Sequence, residues 1–285
     1  MHQTLNEITF DQLLADQNPF GGVPCAFDLC GLRFISAAAM VQIAAACHAL
    51  ARLGYTPSIF TNDNRVLSYL ARMGFISLVQ EFVRFEPRYE DIFSQPPEIE
   101  RYESQLLIEL TRLENLEAVE FVADKVIEVL RLRLRYRTTE AYDAAIAVSE
   151  ATQNTFEHGT DTCGLFTMHV YGQGQNRRLE IAIADYGSGL AATLRNNPAL
   201  GEITTDRIAL RRSVKLGVSQ FQDQTRGNGL YRLTELTHKY HGTLQIRSGS
   251  AVLRITPQNP TGRTIPVTRM PGVQITLHLP TRISS

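Results

Sequence analysis

Apolar and polar residues recur along the chain with two spacings, one typical of strands and one typical of helices. Short apolar runs at residues 23–28 and 56–60 predict two buried strands. Residues 35–53 and 65–73 are apolar at helical spacing, and a glycine follows each stretch, as at many helix ends. Strands that alternate with helices predict parallel pairing with right-handed crossovers, so the first hundred residues predict an α/β unit.

The pattern changes between residues 85 and 100, where Pro96, Pro97 and several acidic side chains mark a boundary or an ordered crossing loop. A second set of elements follows it. The predicted elements are a strand at 105–110, a helix at 116–134, and two strands at 163–171 and 178–184 that form a hairpin around a glycine turn at 172–176. The chain therefore predicts an α/β protein of two domains, residues 1–100 and 101–285.

The stretch at residues 149–159 carries polar side chains at one helical interval. Glu150, Asn154 and His158 lie four residues apart, so a helix places them above one another on a single face. The opposite face of the same helix is apolar and packs inward. A carboxylate, an amide and an imidazole in one row indicate a working surface, although a solvated helix face is the better explanation of Glu150 and Asn154 when they are taken alone.

Two glycine-containing turns follow at element ends. Asp185, Gly187 and Gly189 come directly after a predicted strand, where a carboxylate can accept a hydrogen bond from an exocyclic amine and glycines let a planar ring approach the backbone. Gly227 and Gly229 open a helix that runs to about residue 240, and its unpaired amides favour phosphate. Each turn alone is a weak signal, but the order of polar helix, strand with aspartate, loop and glycine-led helix is informative.

That order resembles the GHKL (Bergerat) ATP-binding fold of gyrase, histidine kinases, mismatch-repair ATPases and anti-sigma-factor kinases. The resemblance covers residues of about 105 to 282 and is nearest to the anti-sigma-factor serine kinases. It implies a two-layer α/β sandwich, a mixed sheet covered by helices on one face. The matching residues are Glu150, Asn154 and His158-Gly159 for the first box, Asp185, Gly187 and Gly189 for the second, and Gly227, Gly229 and Leu230 for the third.

The resemblance also implies roles for these residues in binding ATP and Mg²⁺. Asn154 would hold Mg²⁺ through its amide oxygen, Glu150 would polarise water or a substrate hydroxyl, and Asp185 would recognise the adenine amine. Residues 190–226 would form a mobile lid. The other residues expected at the nucleotide are Gly187, Gly189, Arg226, Gly227, Asn228, Gly229, Leu230 and His158, with Arg207, Arg211, Arg212 and Lys215 of the lid as further candidates for the phosphates.

One position departs from the family pattern. Val273 stands where the family usually has a threonine that holds adenine through water. Valine offers no hydroxyl, so the resemblance implies either reduced nucleotide affinity or another group in that role.

The first hundred residues resemble a STAS domain, the fold of anti-sigma-factor antagonists, through the segments 27–40 and 66–75. The family's phosphorylated segment is changed here, because Ala37 and Ala38 carry no hydroxyl and Ser36 occupies the place of an aspartate. Ser36 is expected to cap a helix. The resemblance implies a degenerate docking or regulatory domain without the phosphorylation switch.

Composition excludes several other classes of protein. The chain has 285 residues and a net charge of −1, which provides no general field for nucleic acid or an anionic membrane. The basic and apolar residues at 131–137 are more typical of a solvated helix end than of a nucleic-acid patch. No apolar run reaches eighteen residues, and the four cysteines lack paired zinc spacing. The sequence predicts a soluble cytoplasmic protein that contacts neither nucleic acid nor membrane directly.

Two functions remain open at this point. In the first, the protein is an enzyme that hydrolyses ATP or phosphorylates a partner protein, with Glu150 as the base. In the second, it is a non-catalytic module that ATP switches between conformations, with little turnover. The expected partner is a protein, such as a sigma factor, a STAS protein or another regulator, and a homodimer is compatible with the family resemblance alone.

Overall fold

The computed structural model describes residues 3–22, 25–88, 106–157, 163–218 and 228–282, and within them the fold is α/β. The described residues up to 88, which we call the first half of the chain, form five short strands and four helices. They are β1 (Thr4–Leu5), α1 (Thr9–Gln17), β2 (Ala26–Asp28), β3 (Phe34–Ile35), α2 (Ala37–Arg52), β4 (Ser58–Phe60), α3 (Asn64–Arg72), α4 (Phe75–Val79) and β5 (Arg84–Glu86). Strands β2, β4 and β5 form a parallel sheet, as the alternating pattern predicts.

The second half contains a five-stranded sheet with the order β6-β7-β8-β10-β9. Its elements are β6 (Leu106–Leu113), α5 (Leu116–Leu132), α6 (Thr138–Glu157), β7 (Gly164–Tyr171), β8 (Arg178–Ala184), α7 (Leu190–Leu194), α8 (Asp206–Ser213), α9 (Gly229–Lys239), β9 (Thr243–Thr256) and β10 (Asn259–Pro280). The predicted strand at 178–184 and the predicted helix near 65–73 are confirmed within one residue. No helix in the described ranges is long and apolar enough to span a membrane.

Strand β8 shows how the central sheet is buried on both faces. Leu179, Ile181 and Ile183 point to the face covered by α5, α6 and α9, where they join one apolar core. Ala182 and Ala184 point the other way and join a second core, which belongs mostly to the first half of the chain. The period of two along a strand produces this division, and it places Asp185 on the same side as Ile183.

Helix α2 covers the second face of the sheet. Every residue from Ala37 to Leu50 is buried, as is expected of a helix that is apolar on all sides. It packs on β7, β8 and β10, and its many alanines allow a close approach to the sheet. Ser36 caps the helix, because its Oγ accepts a hydrogen bond from the Ala39 amide at 3.2 Å, as the sequence predicts.

The central sheet differs from the sheet that the sequence resemblance implies. Among the described strands every pair in it is antiparallel rather than mixed, and helices cover both faces rather than one. The second face is covered because α2 fills the side that a two-layer sandwich leaves open. Of the segment at residues 85–100 that the sequence predicts to separate the two domains, residues 85–86 end strand β5 and residues 89–100 lie outside the described residues.

The start of α2 is held by side chains of the sheet. The Ala38 amide donates to Glu180 Oε1 at 2.8 Å, and the Ala37 amide donates to the Tyr171 hydroxyl at 2.9 Å. Glu180 Oε2 lies 2.9 Å from His278 Nε2. Burial alone would raise the pKa of Glu180, but His278 and the Ala38 amide hold the pKa below its ordinary value. The segment that resembles a phosphorylation switch is thus engaged by the same chain.

A second buried ion cluster joins α1 to β9. Asp11 lies 3.2 Å from Arg247 Nε and accepts a hydrogen bond from Arg254 Nη2 at 2.9 Å. The Arg247 side chain is fully buried and also donates to the carbonyls of Gly249 and Thr268. The two clusters show that the first half docks on the sheet through matched polar groups as well as through an apolar core.

Candidate functional site

A cavity lies on the inner face of the central sheet, between the end of β8 and the helices α6, α7 and α9. It has a volume of about 120 Å³, roughly eight times the space that a single water molecule requires. Most of its wall is apolar, which suits a planar ring. Its polar side chains are Asn154, Thr155, Asp185, Ser188, Thr193 and Ser213.

The turn after β8 places a carboxylate at this cavity. The Asp185 amide donates to the Val273 carbonyl at 2.9 Å, which continues the pairing of β8 with β10. Asp185 Oδ1 accepts hydrogen bonds from the Gly187 amide at 2.8 Å and from the Val273 amide at 3.3 Å. Because the described residues give both hydrogen bonds to Oδ1, Oδ2 is the oxygen that can serve a ligand.

The pKa of Asp185 is shifted by its surroundings. Burial raises the pKa of the carboxyl to about 6, against the opposing effect of the Gly187 and Val273 amides. The carboxylate is therefore ionised at neutral pH and becomes protonated only a little below it. A carboxyl group with a pKa this close to neutral pH, at the wall of an apolar cavity, is typical of a binding or catalytic site.

Two glycines let the backbone close tightly around the turn. Gly272 has φ +82°, and a Cβ placed there would lie 2.0 Å from the Asp185 carbonyl oxygen. Gly189 has φ +81°, and its Cβ would lie 2.9 Å from Ser248 Oγ, which accepts a hydrogen bond from the Leu190 amide. Only glycine fits a positive φ at such contacts without displacing the chain. Sequence analysis identified Gly189 as a site residue but missed the structural role of Gly272.

Helices α6 and α9 meet at the opposite side of the cavity. A Cβ on Gly229 would lie 3.1 Å from Glu150 Cβ and 3.2 Å from the Ala151 amide nitrogen, so glycine permits the close crossing. Asn154, one turn after Glu150, lines the cavity, and no other described residue hydrogen bonds to its side chain. Leu230 and Val273 complete the wall between the two ends.

Glu150 is placed differently from Asn154. Its carboxylate is not part of the cavity wall formed by the described residues and lies 3.2 Å from the guanidinium of Arg232, on α9. Burial raises the pKa of Glu150, and the charge of Arg232 opposes that shift. Sequence analysis missed Arg232, whose position one turn inside α9 is the only signal that could have indicated this contact.

The start of α9 is not capped by the side chain of the residue that precedes it. Asn228 precedes the helix but does not cap it with its side chain, since Asn228 Oδ1 accepts a hydrogen bond from the Gly217 amide at 3.0 Å. The first amides of α9 therefore lack a capping side chain from that residue. Three further predicted site residues, His158, Arg226 and Gly227, lie outside the described residues.

The described part of the predicted lid contains the helices α7 and α8 and a short 3-10 helix at Pro198–Leu200, and a small apolar cluster joins them. Its basic residues are only partly available to a ligand. Arg211 donates to the carbonyls of Thr261 and Gly262, and Arg212 donates to the carbonyl of Leu200. Arg207 and Lys215 are exposed. Within the described residues, two of the four candidate lid cations are thus bound to backbone carbonyls.

Comparison with known proteins adds no identification. No model of a known protein family matches the chain, and no curated protein matches it significantly. The arrangement of the cavity and its side chains is therefore the basis for assigning a function.

Proposed function

We propose that the protein binds ATP with Mg²⁺ in the cavity beside Asp185 and acts on it as a regulatory ATPase or protein kinase. The observation that carries this proposal is the pairing of a buried carboxylate and an apolar slot at the end of β8. The carboxylate oxygen Oδ2 can accept a hydrogen bond from the adenine amine. The apolar wall, with Val273 and Leu230, can hold the ring.

The side chains present fit the phosphates and the metal ion as well. The amides at the start of α9 favour phosphate, because they lie at the positive end of the helix and the side chain of Asn228 does not cap them. Asn154 would hold Mg²⁺ through its amide oxygen, a ligand type that this ion prefers. Mg²⁺ would neutralise the charge on the phosphates. His158, Arg226 and Gly227 stay candidates for the same region.

Glu150 would serve as the catalytic base. It lies one turn before Asn154 on the same helix, so it is next to the proposed phosphate end of the cavity. Its raised pKa favours proton acceptance from water or from a substrate hydroxyl. The first half of the chain would be a docking or regulatory unit for a protein partner.

The ion pair of Glu150 with Arg232 favours a second candidate function. The Glu150 carboxylate lies 3.2 Å from the guanidinium of Arg232, so the ion pair engages the group that would serve as the base. ATP would then act as a conformational switch with little turnover, and a partner that moves α9 would be needed to free the base. The two functions share the same nucleotide site and differ only in the fate of the γ-phosphate.

The first test of the proposal is the Asp185→Asn variant. Asparagine removes the charge and can turn an NH₂ donor toward the adenine amine, so we expect ATP affinity to fall by 1–3 kcal/mol, about 5- to 150-fold. Isothermal titration with ATP in the presence of Mg²⁺ measures it. Asp143→Asn, an exposed position on α6, is the matched control and should leave the affinity unchanged. An unchanged affinity in Asp185→Asn would remove this residue from the site.

The pH dependence of binding provides a second test. Because the folded carboxyl has a pKa of about 6, lowering the pH from 7 to 5 protonates Asp185 and should weaken ATP binding. The Asp185→Asn variant should lack this part of the pH dependence. Comparing the two proteins at each pH cancels the titration of the ATP phosphates. Parallel pH profiles for wild type and variant would contradict the assignment.

A further inference from the structure

We infer that the first half of the chain positions the nucleotide-binding carboxylate, with His48 of α2 as the positioning residue and Tyr186 as its contact. This inference rests on the proposed function, since it concerns the same cavity. It assigns the docked helix a direct effect on ATP affinity.

Strand alternation places the relevant side chains on opposite sides of one turn. Asp185 faces the cavity, whereas its neighbours Ala184 and Tyr186 face α2. Ala184 is fully buried in the core formed mostly by the first half of the chain. The residues on both sides of the carboxylate are therefore packed against α2 or the core around it.

Several groups contact Tyr186 on different sides. The ring of His48 stacks on it with centroids 4.8 Å apart and planes inclined by 8°, and the guanidinium carbon of Arg52 lies 5.9 Å from the ring centroid. The Tyr186 hydroxyl accepts a hydrogen bond from the Cys163 amide at 3.3 Å. The other side of the contact is also fixed, since His48 lies against Phe82 at 4.6 Å.

His48 acts here as an uncharged aromatic group. Burial, helped by Arg112, lowers its pKa to about 4, so the ring is neutral at physiological pH. Its Nε2 atom is buried and has no hydrogen-bond partner among the described residues. The ring thus contributes by stacking on Tyr186, and its Nε2 atom forms no hydrogen bond with another described residue.

The consequence is a coupling between docking of the first half and binding at the cavity. A carboxylate held in place before the ligand arrives binds better than one that must be ordered during binding. By reciprocity, a ligand at Asp185 should in turn strengthen the packing of α2 on the sheet.

The test compares two alanine variants. We expect His48→Ala to weaken ATP binding about tenfold, because Tyr186 and the turn lose their support. His48→Phe, which keeps an aromatic ring, should restore affinity to within about threefold of wild type. Val79→Ala is the control, since Val79 is fully buried in the same core but lies on α4, away from the turn. Titration with ATP and Mg²⁺ gives the affinities, and urea unfolding shows that the variants are compared as folded proteins.

Equal losses of affinity in His48→Ala and Val79→Ala would overturn the inference, because they would reflect general destabilisation. The same conclusion follows if His48→Ala binds ATP as wild type does. If His48→Ala does not fold, hydrogen exchange of the wild-type protein provides the test instead. The inference then requires that ATP slows exchange of the α2 amides. Failure of wild type to bind ATP is a separate result that rejects the proposed function and this inference together.

Discussion

Replacing Gly272 with alanine should destabilise the fold by about 3 kcal/mol or more and abolish detectable ATP binding. The added Cβ would lie 2.0 Å from the Asp185 carbonyl oxygen and 2.7 Å from its carbonyl carbon, which are backbone atoms that no rotamer change can move. The backbone would have to shift at the turn that carries the carboxylate. Urea unfolding followed by circular dichroism gives the stability, and isothermal titration gives the affinity.

Gly54 provides a closely matched control for this variant. Its φ is +84°, against +82° at Gly272, but a Cβ there meets no atom within 4 Å. Gly54→Ala therefore carries only the backbone strain of a left-handed alanine, about 1–2 kcal/mol. The difference in destabilisation between the two variants measures the cost of the contact with the Asp185 backbone. Equal destabilisation in both would contradict the close approach.

The second large effect concerns catalysis. Glu150→Gln should lower ATP turnover by about 10²- to 10⁴-fold, the usual contribution of a general base. Its affinity for ATP should stay within about threefold of wild type, because Glu150 does not line the cavity described here. Phosphate release, or transfer to a partner protein, measures turnover. Glu235→Gln, an exposed position on α9, is the control for the loss of a carboxylate nearby.

The outcome separates the two candidate functions. Retained turnover in Glu150→Gln would exclude this residue as the base. Wild type that binds ATP but shows no turnover with any candidate partner would favour the switch, in which Arg232 keeps Glu150 occupied. The Arg232→Met variant then becomes informative, since freeing the carboxylate should produce turnover that wild type lacks.

Local patterns were sufficient to predict much of the fold and part of the site. The period of two in residues 178–184 predicts strand β8, and the turn that follows places Asp185 where a strand ends. Helical spacing in residues 149–157 predicts that Asn154 faces the same side as Glu150, and Asn154 lines the cavity. These features depend on residues that are near one another in sequence, so a single sequence contains them.

Other features depend on contacts between distant segments and were not predictable. In the sequence, Gly272 looks like an ordinary turn residue. In the structure, it lies against the backbone of Asp185, which is 87 residues earlier in the chain. The alanine-rich composition of α2 indicates a buried helix but does not indicate which sheet covers it. The pairing of Glu150 with Arg232 likewise follows from the crossing of α6 and α9, which Gly229 permits.

Isothermal titration of the wild-type protein with ATP and with GTP, both with Mg²⁺, tests the central claim most directly. Adenine presents an amine to the Asp185 carboxylate, whereas guanine presents a carbonyl oxygen that the carboxylate repels. We predict that ATP binds with micromolar to millimolar affinity and that GTP binds at least about tenfold more weakly. Equal affinity for the two nucleotides, or no binding of ATP, would contradict the account.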